Sequence, residues 1–401
     1  MIEAYDFTSS YPFCLLAFKY PMEKFSQLKT SPTKEEIIKT SDRYAYVFRL
    51  EVLDLELKDL HEAMPFFQFS KCDKINDEIL DNGRVLQCSY ASIYITEQDL
   101  ILIDKMYNFS AYKITQCYSA IKDYLPRYLT DYIYELFKFK TQEKGGDPIL
   151  YALLKAKLNS VYGMLVQKWI KEEIIERYDT GEYERNKCID KKDIFDSFIK
   201  KRNNIFVYQW GIYCTAYAVK NLYTLGSMCR IWLYSDTDSC YGIDWDKNEI
   251  QVYNRKCIEL LKSRGYEPII KEGKLYALGV AELDGQYSEF KMLGAKRYCT
   301  RDLKGKLKIT VAGVPKKGVA SLNNDMTNFK KGLVFSGKVS GKKQHTYLYI
   351  DEIYTDENGN EVGDCIDLTD CDYLLDTIEC NLLDTWSENL EYMNVTGMGE
   401  Y

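Results

Sequence analysis

Apolar and polar positions recur along this chain with periods that mark out its elements. In Cys229 to Ile243, CRIWLYSDTDSCYGI, two β-rich apolar runs flank a short polar turn, the pattern of a hairpin with Asp236, Thr237 and Asp238 at its tip. Period-two alternation predicts that Asp236 and Asp238 project together while Thr237 turns away. Tyr44 to Leu53 and Val85 to Thr96 alternate as strands, the second entered through an Asn82-Gly83 turn. Glu35 to Thr40 and Glu97 to Tyr107 predict helices. Leu125-Pro126 opens another through about Lys140, with proline in the first turn, where its missing N–H costs least.

After a Gly-containing loop from Gln142 to Pro148, a helix is predicted from about Ile149 to Val166 with two stripes. Leu154, Leu158, Val161 and Leu165 form a core-facing stripe; Lys155, Asn159, Tyr162 and Gly163 share a separate face. Asn and Gly are poor helix residues, Gly by about 1 kcal/mol, and close approach of a ligand to that face gives their placement a reason. Charged residues dominate Trp169 to Asn203, which predicts a hairpin turning near Thr180-Gly181 and a helix from about Asp190. Phe206 to Met228 predicts a long aromatic-rich helix, Cys257 to Arg264 a shorter one, and Leu275 to Val280 and Tyr287 to Tyr298 strands, the latter carrying Lys291, Lys296 and Arg297. Met1 to Leu16 reads as a short strand running into Asp6, with Pro12 just after a polar turn. The last third alternates strands with Gly-rich turns; Asp356 to Glu361 has the outline of a calcium loop but carries Glu361 where that loop needs Gly, so a β-turn is expected.

Composition narrows the class. A 401-residue chain with 46% hydrophobic and 28% charged residues is a folded protein of several subdomains. Its 35 tyrosines suit stacking on bases or sugars, and an AT-rich coding sequence produces the same excess. Thirteen scattered cysteines without a CxxC pair, and only His61 and His345 as imidazoles, argue against zinc and for reduced thiols in a cytoplasmic compartment. No apolar run is long enough for a membrane span, and no signal-peptide pattern opens the chain. The net charge of -7 hides an uneven distribution. From Lys291 to Lys343 fourteen Lys and Arg face only Asp302 and Asp325, and from Asp351 onward the balance inverts. Such a block is a polyanion-facing surface or a solvated charged face.

Two carboxylates a few ångströms apart repel by roughly 4 kcal/mol at an effective dielectric near 20, so the Asp236 to Asp238 tip calls for a counter-charge such as a divalent metal. A turn using Asp for its own hydrogen bonds gives the same three residues. The rest of the chain separates these readings. Asp6-Phe7-Thr8-Ser9-Ser10-Tyr11-Pro12 resembles the DxxSLYP motif of family B DNA polymerases, and Lys155 to Gly163 resembles their KxxxNSxYG motif. Tyr234 to Ser239 matches YxDTDS, and Lys296-Arg297-Tyr298 is similar to the following KxY element. The four stand in the family's order across most of the chain, and the nearest likeness is to phage polymerases of the protein-primed type.

That resemblance implies an α+β right-hand polymerase: an antiparallel-sheet palm, helical fingers, a β-rich thumb and palm insertions. The corresponding segments are palm 1–27 and 204–310, fingers 126–166, insertions 28–125 and 167–203 as terminal-protein regions 1 and 2, and thumb with C-terminal region 311–401. It implies that Asp6 and Asp238 ligate two Mg²⁺ ions, for which Mn²⁺ can substitute, with Phe7 lending a carbonyl and Asp236 a weaker contributor. By the same resemblance Lys155 would hold the triphosphate of a dNTP and Asn159 shape its pocket, Tyr11 would lie under the sugar and exclude a 2′-OH, and Tyr162 would pack on the nascent base pair. The resemblance also implies that Lys296, Arg297, Tyr298 and Gly163 contact DNA, and core packing alone is an equal account of Tyr162 and Tyr298. The implied partners are primer-template DNA, dNTPs and a terminal protein, with no membrane, in the host cytoplasm if the chain is viral.

Departures from the family pattern are specific. Ser10 replaces the usual Leu, and Thr310-Val311-Ala312-Gly313 lacks the Lys that often opens a similar segment. The family carries a 3′→5′ exonuclease domain before its first motif, whereas five residues precede Asp6 here, so a chain without proofreading and a separate exonuclease partner is expected. The competing functions are a catalytically inactive DNA-binding module, half of a split polymerase, and a different nucleotidyltransferase.

Overall fold

The computed structural model describes residues 1–58, 63–166, 173–177, 182–186, 192, 196, 200, 207–337, 342–348, 354–355, 361–362 and 365–376. The expected helix from Asp190, most of the turn at Asp356 to Glu361 and the end of the acidic tail lie outside them. The described chain divides into two compact units, one within Tyr5–Leu283 and the other of Met1–Ala4 with the described residues from Asp284 onward.

In chain order the strands used below are β1 Ile2–Phe7, β2 Tyr44–Leu57, β3 Arg84–Thr96, β4 Ala111–Tyr124, β5 Glu173–Arg177, β6 Glu182–Asn186, β7 Cys229–Asp236, β8 Ser239–Trp245, β9 Ile269–Lys271, β10 Lys274–Tyr276, β11 Ala281–Gly294, β12 Arg297–Asp302 and β13 Leu307–Val311. The helices are α1 Ser10–Ala17, α2 Lys34–Thr40, α3 Glu97–Met106, α4 Arg127–Gln142, α5 Pro148–Leu165, α6 Tyr208–Gly226 and α7 Lys247–Ser263.

The larger unit holds an eight-stranded antiparallel sheet in which β2 lies between β3 and β4. Alternation holds along β2, where Phe48, Leu50 and Val52 are fully buried, while on β3 the consecutive Ala91, Ser92 and Ile93 are all buried. Helix α3, closed by a Thr96/Asp99 capping box, packs on this sheet and on α6. A second core gathers α1, α4, α5, α6 and α7 around Phe13, Leu16, Phe137, Leu158 and Tyr213. The core stripe of α5 is present, with Leu158 and Leu165 buried and Leu154 and Val161 partly buried against that core. Strands β5 and β6 pair from Glu173↔Asn186 to Arg177↔Glu182, the hairpin expected there.

Five expectations need correction. Leu275 to Val280 is not a strand throughout: β10 ends at Tyr276 and the chain turns through Gly279 at φ 76. Ser10 to Ala17 is a helix, missed because it is apolar on almost every side and so has no period; its Pro12 sits in the first turn, where no helical N–H is lost. Pro126 is the residue before α4 and not part of its first turn. Helix α7 begins ten residues before Cys257, where the Asp246 carboxylate caps the N–H groups of Asn248 and Glu249. Tyr287 to Tyr298 is not one strand: β11 ends at Gly294, Lys296 takes the left-handed conformation at φ 54, and β12 starts at Arg297. A Lys there is unusual for positive φ, which is why the sequence pattern conceals the turn.

In the smaller unit β11, β12 and β13 form an antiparallel meander, with Met292↔Tyr298 and Tyr298↔Thr310 in register. Its core is Cys299, Leu307, Ile309, Val311, Leu322, Phe329, Phe335 and Tyr373. Between its strands lie short 3₁₀ segments at Lys316–Leu322 and Met326–Asn328, which the expected alternation of strands and turns did not include.

Candidate active site

A cleft of about 280 Å³ in the larger unit collects most of the residues singled out in the sequence. Strand β1 delivers Asp6 and Phe7 to its floor, followed by Thr8 and Ser9. The end of β1 is tied down on both sides. Phe7 N–H donates to the Asp238 carbonyl at 2.8 Å, and Thr8 exchanges hydrogen bonds with Val280 and Gly279 at 2.9 and 2.8 Å. Gly279 is obligatory there, because at φ 76 a Cβ would come within 2.2 Å of the Phe13 ring.

Asp238 lines the same cleft and Asp236 does not. The hairpin turn is too tight for strand alternation: Thr237 is left-handed at φ 57, and Asp238 N–H reaches the Asp236 carbonyl at 2.6 Å. The Asp236 carboxylate accepts from the Thr237 hydroxyl at 2.9 Å. Of the two carboxylates expected to project together, Asp238 is the one that lines the cleft with Asp6.

Two helix faces form the opposite wall. Asp147 caps the N–H groups of Ile149 and Leu150 with Pro148 just inside, so α5 starts with a fixed phase and presents Tyr151, Lys155 and Asn159 at i, i+4 and i+8 to the cleft. Helix α4 presents Phe137, Lys140 and Thr141, with Lys144 just beyond its end. Lys140 Nζ donates to Ser9 Oγ at 3.0 Å, and the Lys144 ammonium lies 4.8 Å from the Tyr276 ring centre. Lys140, Lys144 and Glu282 were not singled out in the sequence. The available signal was the i, i+4 spacing of the two lysines on a helix end; nothing local tied them to Lys155. Burial, then the neighbouring Lys155 and Lys144, push the Lys140 pKa down to about 8, while Glu282 pulls it up.

Tyr11 and Tyr162 stack face to face, ring centres 4.1 Å apart and 11° from parallel. Burial first, then Tyr162, Cys214 and Asp238, raise the Tyr11 pKa well above its ordinary value, so it remains a neutral phenol. Gly163 faces open space: a Cβ there would meet nothing within 4 Å. Lys296, Arg297 and Tyr298 belong to the smaller unit, Lys296 exposed at the turn and Tyr298 stacked on Phe290 at 5.6 Å.

Asp6 and Asp238, with main-chain oxygens beside them, are a hard-oxygen donor set opposite a row of ammonium groups. That arrangement can hold a phosphate chain between cations. The fold is that of the right-hand polymerases. It is similar to the DNA polymerase of Phi29 solved with primer-template DNA and incoming nucleotides, at TM-score 0.61 and 15% identity over 93% of this chain and 57% of that one. The same polymerase with primer-template DNA alone gives 0.60 and 16% over 93% and 57%, and its orthorhombic crystal form 0.59 and 16% over 93% and 58%. The chain thus spans a little over half the length of the solved structures it matches. No curated protein sequence matches it. Residues 1–250 match the model of DNA polymerase type B, organellar and viral, and the chain belongs to that family.

Proposed function

We propose that this chain is a DNA-directed DNA polymerase core that adds dNMP to a primer 3′-OH, with primer-template DNA and dNTPs as its substrates, in the replication of a phage or plasmid genome. The observation that carries the proposal is the cleft itself, where Asp6 and Asp238 face Lys140, Lys144 and Lys155. A chain that only clamped DNA would have no use for buttressed carboxylates beside a phosphate backbone.

The donor set fits magnesium. Among the described residues no three His, Cys, Asp or Glu side chains cluster as a metal cage. Mg²⁺ does not need one, since it is commonly held by one or two carboxylates and completes its shell with substrate phosphates and water. Asp6 and Asp238 would hold the ions with the Phe7 carbonyl, and Asp236 would act from outside the cleft. Bound there, a pair of Mg²⁺ or Mn²⁺ ions supplies Lewis-acid stabilisation of the attacking and leaving oxygens of an in-line displacement. Lys155, aided by Lys140 and Lys144, would hold the triphosphate and offset charge growing on the departing pyrophosphate. Asn159 would bound the nucleotide pocket, Tyr11 would bar a 2′-OH, and Tyr162 and Gly163 would face the nascent base pair and template. Lys296, Arg297 and Tyr298 would hold the primer strand.

In this reading 1–27 and 204–310 are palm, 126–166 fingers, 28–125 and 167–203 insertions that dock a priming terminal protein, and 311–401 thumb and C-terminal region. The protein-primed start rests on the resemblance of the sequence motifs to phage polymerases of that type; most strands of the eight-stranded sheet come from 28–125, with Lys19–Pro21 and Ser26–Gln27 joining it. Among the described residues no helix is long and apolar enough to cross a membrane. The test is Mg²⁺-dependent primer extension by the wild-type chain and by Asp238→Ala. Extension should fall by at least about 10³-fold with DNA binding retained, in keeping with the loss of a main electrostatic stabiliser. Extension at the wild-type rate by the variant would remove Asp238 from the chemistry, and DNA binding without extension by the wild type would favour an inactive clamp.

A further inference from the structure

Consecutive residues of α6 hold the two halves of the tyrosine stack. The Cys214 thiol donates to the Tyr11 carbonyl at 3.7 Å, and the Thr215 hydroxyl lies 2.7 Å from the Tyr162 hydroxyl. Thr215 also donates to the Gly211 carbonyl at 3.1 Å. A threonine hydroxyl has one proton, so toward Tyr162 it can only accept. The Tyr162 O–H is therefore the donor, and its direction is set by α6. Gly211 makes this approach possible: a Cβ there would fall 2.2 Å from Val166 Cγ1, just past the end of α5. One turn further along α6 stands Thr215.

We infer that Thr215 is a positioning residue for nucleotide selection, holding Tyr162 flat against Tyr11 and so fixing the wall that meets the sugar of an incoming 2′-deoxynucleoside triphosphate. The inference rests on the polymerase reading above. A wall that excludes a single hydroxyl works only if it does not yield, and a ring backed on one face by another ring yields according to what holds the second ring. Tyr162 is half-buried and partly packed against the second core, which leaves its phenol tip as the point of restraint. Removing the acceptor releases that tip without removing a ring.

The experiment compares Thr215→Val, Thr215→Ser, Tyr162→Phe and the Thr215→Val/Tyr162→Phe double variant in single-nucleotide insertion of dNTP and rNTP on the same primer-template, with thermal melting as a folding control. A hydrogen bond of ordinary net strength predicts that Thr215→Val lowers dNTP-over-rNTP discrimination about fivefold, mainly through a fall in KM for rNTP as the wall yields to the 2′-OH. Thr215→Ser should restore the wild-type ratio. Tyr162→Phe should match Thr215→Val, and the double variant should be no worse than either, because both remove one bond. Unchanged discrimination in a folded, extending Thr215→Val chain overturns the inference, as does additivity in the double variant. If Thr215→Val fails to melt cooperatively, Tyr162→Phe carries the same comparison, and its unchanged ratio is the overturning result. A wild-type chain that inserts neither sugar overturns the polymerase reading, and this one with it.

Discussion

Lys140 is the residue whose surroundings most change its chemistry. Its pKa of about 8 arises from burial and from Lys155 and Lys144. An unfolded lysine holds its proton to about pH 10.4, so between that value and the folded value the unfolded state binds more protons, and stability should rise with pH in this window. Affinity for a triphosphate should move the other way. As pH climbs through about 8, Lys140 loses its charge before nucleotide arrives, and KM for dNTP should increase. Lys140→Arg, charged throughout, should flatten that rise, which steady-state kinetics across the range would reveal. A KM that climbs equally in the Arg variant would assign the dependence to another group. The same residue marks the limit of what single positions disclose. Lys155 and Asn159 were legible because they share a helix face with residues that are poor helix formers, and Asp6 and Asp238 only because their motifs resemble those of a known family in the same order. Lys140, Lys144 and Glu282 reach the cleft only through the way α4 and the start of β11 pack, which no local spacing encodes.

At the scale of elements, strong periods were legible and irregular junctions were not. The stripes of α5, the alternation of β2, the run of β3 and the Asp236 hairpin could all be read from the chain. The uniformly apolar α1, the charged first half of α7 and the Lys296 turn could not. A buried polar junction also escaped notice. Lys122 on β4 forms an ion pair with Glu97 at the start of α3, their side chains 1% and 0% exposed. Glu97 also accepts from the Tyr46 N–H at 2.8 Å and from the Tyr213 hydroxyl of α6 at 2.6 Å, while Lys122 donates to the Ser41 carbonyl at 2.7 Å. Sheet, α3 and α6 are thus joined by one satisfied network, and burial lowers the Lys122 pKa despite the Glu97 charge. Glu97→Ala, which strands a buried ammonium, should cost about 3–5 kcal/mol, whereas the apolar pair Glu97→Leu with Lys122→Met should cost less, about 1–3 kcal/mol, because it removes both charges but leaves the Tyr46 N–H without its acceptor. Denaturant midpoints at constant slope would measure both, and an equal loss in the paired variant would show that the charges themselves contribute the stability.

For the whole molecule, a net charge of -7 has to be reconciled with a nucleic-acid partner. The reconciliation is spatial. In the smaller unit Lys304, Lys306, Lys308, Lys316, Lys317, Lys330 and Lys331 are all exposed, and Lys331 pairs with the Asp376 carboxylate at 2.9 Å. These side chains stand away from that unit's core, so stability does not require them, and lysines kept on a surface at the cost of mutual repulsion are suited to a polyanion. Binding through them should be governed by counterion release, with log affinity falling linearly as log salt rises. Lys296 gives the sharpest test because its turn holds it exposed at the entrance to β12. Lys296→Ala should weaken duplex primer-template binding evenly across sequences and reduce the salt slope by about one unit, as expected when a single ammonium–phosphate pairing is removed. Its kcat with saturating DNA should change far less than its DNA affinity. A salt slope equal to that of the wild type would place Lys296 off the DNA path and leave the exposed lysines of β13 and the 3₁₀ segments as the phosphate-tracking surface.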